Sequence, residues 1–230
     1  MSCFLREKKC SKTFYSFRVL IVVVNICLVN FFTPSMVVAE EGVPIVTSPE
    51  QTSTESTSSG NIYVLIGTKE LNPDEWYPVE DQLELSVLAD FKMDKEWLFS
   101  VVMATAVYAG YGTAWDPFLG DIDVLSSTEE ISIGGRFIDE NLSGKETGFQ
   151  PFVSGGLSLI TTRYEAEALG VTISDEDTAI GIWGDAGFYY QLGGLNFGAV
   201  YRLSSADVNL FGANVDVGGD HLGVFAGLHF

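Results

Sequence analysis

Residues 220–230 read D-H-L-G-V-F-A-G-L-H-F, and their alternation decides the fold. Leu222, Val224, Ala226, Leu228 and Phe230 are apolar, whereas His221, Gly223, Phe225, Gly227 and His229 between them are small, aromatic or titratable. A period of two over that length specifies a β-strand with two unlike faces. The unbroken apolar face needs hydrocarbon or a core to cover it, and it runs out on the last aromatic residue.

Upstream, seven more segments of β-branched, aromatic and glycine residues are set between turn-rich stretches: 61–70, 82–93, 97–108, 128–138, 149–162, 178–192 and 195–204. In the second, Leu83, Leu85, Val87, Ala89 and Phe91 alternate with Glu84, Ser86, Leu88, Asp90 and Lys92. Elsewhere Glu130 and Arg136 fall opposite Ile131, Ile133 and Phe137, Asp185 opposite Ala186 and Phe188, and Arg202 opposite Tyr201 and Leu203. The third segment is almost wholly apolar, so its facing stays open. Each segment has the roughly 9–11 residues that a tilted strand needs to cross a bilayer. The count of eight is even, as closure of an antiparallel bacterial barrel requires. Connections 71–81, 109–127, 163–177 and 205–216 are long and acidic, 94–96 and 193–194 are tight, and 139–148 is intermediate. Long loops at one end and short turns at the other are the pattern of an outer-membrane barrel.

The N-terminal quarter reads differently. Arg6, Lys8, Lys9, Lys12 and Arg18 precede an apolar run at 19–32, and Val37-Val38-Ala39 offers a small-residue cleavage site. We therefore expect a secretory signal over residues 1–39. Its apolar run of 14 residues, with two Asn in it, is short of the roughly 20 that a helical span needs. Residues 40–60, rich in Ser, Thr, Pro and Glu, read as a disordered periplasmic leader. The barrel then occupies 61–230. All three cysteines, Cys3, Cys10 and Cys27, fall in the signal, so the mature chain avoids thiols, which suits an oxidising compartment. Five of the 12 basic and one of the 31 acidic residues leave with the signal, so 7 and 30 remain, a net of −23. That balance excludes nucleic acid as a partner, because phosphate neutralisation needs a basic patch.

Three stretches carry a resemblance: G-T-K-E-L-N-P-D-E-W-Y-P-V-E-D at 67–81, F-V-S-G-G-L-S-L-I at 152–160 and G-V-F-A-G-L-H-F at 223–230. Together they resemble the eight-stranded outer-membrane barrels of the OmpA-like, OmpX-like and opacity-type superfamily. The resemblance implies an all-β, antiparallel, up-and-down transmembrane barrel in the cell outer membrane, in contact with lipid and lipopolysaccharide. It also implies that Ala226, Leu228 and Phe230 form the signal read by the barrel-insertion machinery. Members of the superfamily include structural barrels, adhesins, small-solute pores and a few lipid-modifying enzymes.

If the polar face points inward, Lys69, Glu84, Asp90, Lys92, Glu130, Arg136, Asp185, Arg202 and His221 line the lumen, with His229 a further candidate. An eight-stranded interior is only wide enough for its own side chains. These charges are then expected to pair and plug it. The alternative is a narrow gated pore, opened when an Arg or Lys changes its carboxylate. A soluble lipocalin-like barrel would instead carry the same charges outside. No enzyme is expected. His221 and His229 are eight residues apart on one strand, about 26 Å, and neither has the His–Ser spacing of two that lipid A deacylase barrels place on one strand. No cofactor or metal is expected either, because the mature chain has no cysteine and only these two histidines. Acidic loop residues Asp116, Asp121, Asp123, Asp175, Glu176 and Asp177 offer divalent cations a place to bridge lipopolysaccharide phosphates. Trp76, Tyr77, Trp97, Tyr108, Tyr111, Trp115, Tyr164 and Tyr201 fall near strand ends, where interfacial girdles are expected.

Overall fold

Strand pairing closes the sheet on itself. The structure, a computed structural model, describes residues 59–92, 99–138 and 147–230. Ten strands and one helical turn follow in order: β1 Gly60–Glu70, α1 Pro73–Trp76, β2 Asp81–Lys92, β3 Phe99–Asp116, β4 Gly120–Ile138, β5 Thr147–Ala168, β6 Val171–Leu192, β7 Leu195–Ser205, β8 Asp207–Leu210, β9 Ala213–Asp216 and β10 Gly219–His229. Eight of them form a closed antiparallel barrel in the order β1-β10-β7-β6-β5-β4-β3-β2, and β8 and β9 pair separately as a hairpin. The signal, nearly all of the leader, turn 94–96, most of connection 139–148 and Trp97 lie outside the described residues.

The facing is polar-in and apolar-out. Glu84, Glu130, Arg136 and Arg202 are buried, while Ile66, Leu83, Ile131, Ile180, Leu203 and Leu222 stand exposed on the outside. A soluble barrel has the reverse arrangement. The open facing of the third segment resolves the same way, with Ser100, Val102, Ala104, Ala106 and Tyr108 buried inside. A line of exposed polar residues, Glu70, Asp81, Glu129, Thr178, Ser205 and Asp220, bounds the outward apolar belt, with Tyr111 and Leu125 beyond it on β3 and β4. That line marks one edge of the hydrocarbon. The other edge is phenylalanine-rich: Phe91 meets Phe230 at 6.2 Å and Phe149 stacks on Phe188 at 5.1 Å. Phe99 pairs with Phe137, and Tyr190 with Phe197.

This differs from the expected aromatic girdle. Trp76 and Tyr108 are buried, and Tyr164 packs against Trp76 at 6.2 Å, so none of the three faces lipid. Their rings serve the interior instead.

Two of the long connections are not loops at all. β3–β4 pairing continues to Asp116↔Gly120 and β5–β6 pairing to Ala168↔Val171, well beyond the belt. Antiparallel strands keep exchanging backbone hydrogen bonds wherever no residue blocks them, and the Thr, Ala and Gly there read as turn composition only in isolation. The fourth connection contributes the β8–β9 hairpin. At the opposite end Gly193 takes φ 61° in the two-residue turn from β6 to β7.

The seam between first and last strand is latched by backbone. Gly60 N–H donates to Phe230 O at 2.9 Å, and Phe230 N–H donates to Gly60 O at 3.0 Å. The Phe230 ring lies over Gly60, 2.9 Å from where a Cβ at that residue would sit. Gly60→Leu, or deletion of Phe230, should therefore cut the fraction of chain that runs as a compact band on unboiled SDS–PAGE. Full retention of that band in both variants would show that the seam closes without the latch.

Candidate functional site

The barrel interior holds four layers. From the short-turn end they are a charged cluster, an aromatic layer, a second charged cluster and an apolar roof.

The first cluster centres on Asp90. Its carboxylate accepts from Arg136 at 3.0 Å, Tyr63 Oη at 3.0 Å and Asn61 Nδ2 at 2.6 Å. Arg136 Nε also donates to Ser154 Oγ at 2.9 Å, and its guanidinium lies 4.0 Å over the Phe152 ring. Asn61 Oδ1 accepts from Asn196 at 2.7 Å and meets His229 Nδ1 at 2.9 Å. Above it, Tyr63, Leu65, Leu88, Ala104, Phe152, Tyr189, Val200 and Phe225 pack into one buried cluster. Tyr63 and Phe225 meet edge-on at 4.9 Å. These large rings fit because glycine faces them: a Cβ on Gly198 would stand 2.5 Å from Phe225 Cζ.

The second cluster centres on Glu130. It accepts from Arg202 at 3.3 Å, Ser132 Oγ at 2.6 Å and Tyr108 Oη at 3.0 Å. Arg202 lies 4.3 Å over the Trp183 ring. Lys69 sits 4.6 Å over Tyr108 and donates to Val217 O at 2.6 Å, tying the cluster to the roof. His221 Nδ1 meets Glu84 Oε2 at 3.3 Å, and its Nε2 meets Ser204 Oγ at 2.9 Å. Asp185 faces Arg202 across β6 and β7 and is buried. Among the described residues, its Oδ1 and Arg202 Nη2 have no hydrogen-bond partner.

The roof is built from the loops. Leu71, Trp76 and Val79 pack with Val124, Ile160, Ala206, Val208, Leu210 and Val217. Trp76 Nε1 donates to Asp216 O at 2.7 Å, and Asp216 N–H donates to Glu75 at 2.9 Å. Asn72 caps α1 by accepting from Asp74 N–H at 3.1 Å. The β8–β9 hairpin hangs from β6 by two charge-assisted bonds: Asn209 N–H to Asp177 at 2.7 Å and Phe211 N–H to Asp175 at 2.6 Å.

Of the residues expected in the lumen, Asp90 and Arg136 meet in the first cluster. Lys69, Glu84, Glu130, Asp185, Arg202 and His221 lie in or beside the second. Lys92 is half-buried at the last position of β2, two residues nearer the short-turn end than Asp90. Asn61, Tyr63, Asn196 and Ser204 complete the clusters without having been singled out, and Tyr108, expected in a girdle, joins the second one instead. Ser204 sits diagonally from His221 on the neighbouring strand, because His221 pairs with Arg202. A search along one strand misses it, and the β8–β9 hairpin between β7 and β10 hides their register.

No protein-family model matches the chain, and no curated protein does. Solved structures do. The outer membrane protein OprG of Pseudomonas aeruginosa matches with a TM-score of 0.51 at 12% identity, covering 75% of this chain and 95% of that one. The fold is that of the eight-stranded outer-membrane barrels. Ail, the attachment invasion locus protein of Yersinia pestis, matches at 0.49 and 13% identity over 75% of this chain and 98% of its own. Neisserial surface protein A matches at 0.49 and 12% over 75% and 97%. At 12% identity the likeness to OprG speaks for the fold and for nothing finer.

Breaking one partner of a buried pair leaves the other charged in low dielectric. Arg136→Ala is expected to lower unfolding stability by about 3–5 kcal/mol, read by guanidinium titration in micelles. The paired change Arg136→Met with Asp90→Leu should recover most of that loss. An Arg136→Ala variant as stable as the parent would mean that the pair is solvated.

Proposed function

We propose that the chain is an integral outer-membrane protein whose closed barrel is a rigid support for a surface-interaction face at its outer, loop end. The observation that carries this is the aromatic layer lying between two buried charged clusters under an apolar roof. A water path would have to displace Tyr63, Phe152 and Phe225 as well as re-pair Arg136 and Arg202. The 1–39 segment serves as a cleaved signal, and Ala226, Leu228 and Phe230, all exposed on the outer face, are offered to the insertion machinery. Lipid and lipopolysaccharide surround the belt, with divalent cations bridging phosphates to the acidic loop ends diffusely.

In planar bilayers the purified barrel should show no steady conductance, and Tyr63→Ala with Phe225→Ala should open a steady one by removing the aromatic layer. Parental conductance that is steady and ion-selective would overturn the plugged lumen. The second reading, a gated pore, draws on the unmet atoms of Asp185 and Arg202: Arg202 has a second carboxylate within its reach. It predicts that Asp185→Asn silences any such conductance.

The Ser204–His221–Glu84 chain has the order of a nucleophile, base and acid. We read it as structural. Glu84 also accepts from Ser86 at 3.1 Å, and His221 packs edge-on against Tyr108 at 5.3 Å. A fluorophosphonate probe should leave Ser204 unlabelled in the folded barrel, as judged by mass spectrometry of the peptide. Stoichiometric labelling that vanishes in His221→Ala would make the protein a hydrolase.

A further inference from the structure

Three hairpin tips beyond the belt share one feature: each ends in a large apolar residue followed by glycine. They are Phe118-Leu119-Gly120 between β3 and β4, Leu169-Gly170 between β5 and β6, and Phe211-Gly212 between β8 and β9. None of the apolar tip residues is buried. Phe118 is 91% exposed, Leu169 77% and Phe211 54%. Trp115, Val171 and Ile173 beside them are exposed as well.

Lipid does not account for them. Trp115 stands eight residues beyond Val107, the partner of the belt-edge residue Glu129, which is roughly 26 Å along the strand. Ile173 and Val171 lie five and seven residues beyond Thr178. Folding does not account for them either. Leu169 has φ 50° and Phe211 φ 52°, the left-handed region where a branched or aromatic residue costs about 1 kcal/mol and where Asn or Gly is the usual choice. The chain thus accepts strain twice to set an apolar side chain at a tip, and at Leu169 that side chain stands in water. Such departures from local preference are what a functional surface leaves behind.

The ribbons also define the chemistry of what covers them. The four long connections hold fourteen carboxylates and a single basic residue, Arg163. On the outward face Asp121 pairs directly with Trp115, Asp123 with Glu167 and Glu165 with Ser174, while Asp175 and Asp177 share the β6 face of Val171 and Ile173. Phe211 packs on Tyr164 at 6.1 Å, so the β8–β9 tip and the β5–β6 ribbon share one apolar face. Where no divalent cation bridges them, an apolar surface set among carboxylates repels lipid phosphate, sulfated sugars and a second copy of itself. It favours a partner that brings both cations and apolar side chains.

We propose that these tips, with Val171 and Ile173, form a docking surface for a cationic amphipathic polypeptide. The proposal rests on the surface-interaction reading above and names its partner class. The test uses the full mature chain in phosphatidylcholine nanodiscs, with empty nanodiscs subtracted, and three synthetic peptides: Lys/Leu amphipathic, Lys/Ser cationic and Glu/Leu amphipathic. By biolayer interferometry, the Lys/Leu peptide should bind at least about tenfold tighter than either other peptide, and about tenfold weaker on going from low to high salt. Ile173→Ser with Phe211→Ser, and Phe118→Ser with Leu119→Ser, should each weaken it by about tenfold while the heat-modifiable band stays intact.

Equal binding of Lys/Ser would reduce the surface to charge alone and overturn the docking inference. Preferential binding of Glu/Leu would overturn the cationic partner yet leave a surface-interaction role standing. Self-association of the barrel that Ile173→Ser abolishes would make the occupant a second copy and overturn the inference too. Binding by none of the peptides, with the band intact, would sink the proposal without touching the barrel.

Discussion

A charge that points into an eight-stranded barrel has no bulk water to solvate it and almost no room to move. Every other feature of the interior follows from that constraint. Asp90 and Glu130 each take one arginine and at least two further donors, because a carboxylate with a single partner would be left partly desolvated and unpaid. The serines, asparagines and tyrosines of the inner face are the donors that make burial of charge tolerable. Their small or planar shapes are also what the interior width admits. The outside obeys the complementary rule, since hydrocarbon rejects what the lumen holds.

The layering extends that logic vertically. Between the charged clusters, where no donor is needed, the lumen is filled by rings seated over glycines of neighbouring strands. Large residue on one strand and glycine on the next is the way a closed barrel reaches dense packing without widening. At the loop end the polar strands give way to the apolar roof, and the two meet at Lys69, whose ammonium reaches the Val217 carbonyl. That bond and the Trp76–Asp216 bond couple two loops to the barrel wall.

How much of this was legible in the sequence depends on whether the signal was periodic or pairwise. Alternation at 82–92, 130–138 and 220–230 revealed strands, the residues that share a face and the count of eight, because a period of two is written residue by residue; which face points inward it left open. The extension of β3 to β6 past the belt was not legible: Thr, Ala, Gly and Asp there satisfy turn statistics, and only pairing with the neighbour makes them strand. Trp76, Tyr108 and Tyr164 looked interfacial for the same reason, since position near a strand end does not say which way a ring points. The Ser204–His221–Glu84 contact depends on three strands whose mutual register no short turn fixes.

The hairpin tips are where local preference and structure part company. A two-residue turn with both residues at positive φ favours Asn-Gly, which would close β5–β6 and β8–β9 with less strain than Leu169-Gly170 or Phe211-Gly212 do. In the lumen, by contrast, each departure from ordinary composition has a visible return in packing: glycine admits a ring, a buried arginine finds a carboxylate and an aromatic face. Leu169 has no such return within the chain, whereas Phe211 finds part of one against Tyr164. On the docking proposal the strain at Leu169 has its compensation outside the molecule, and the carboxylates along the same ribbons constrain what can supply it.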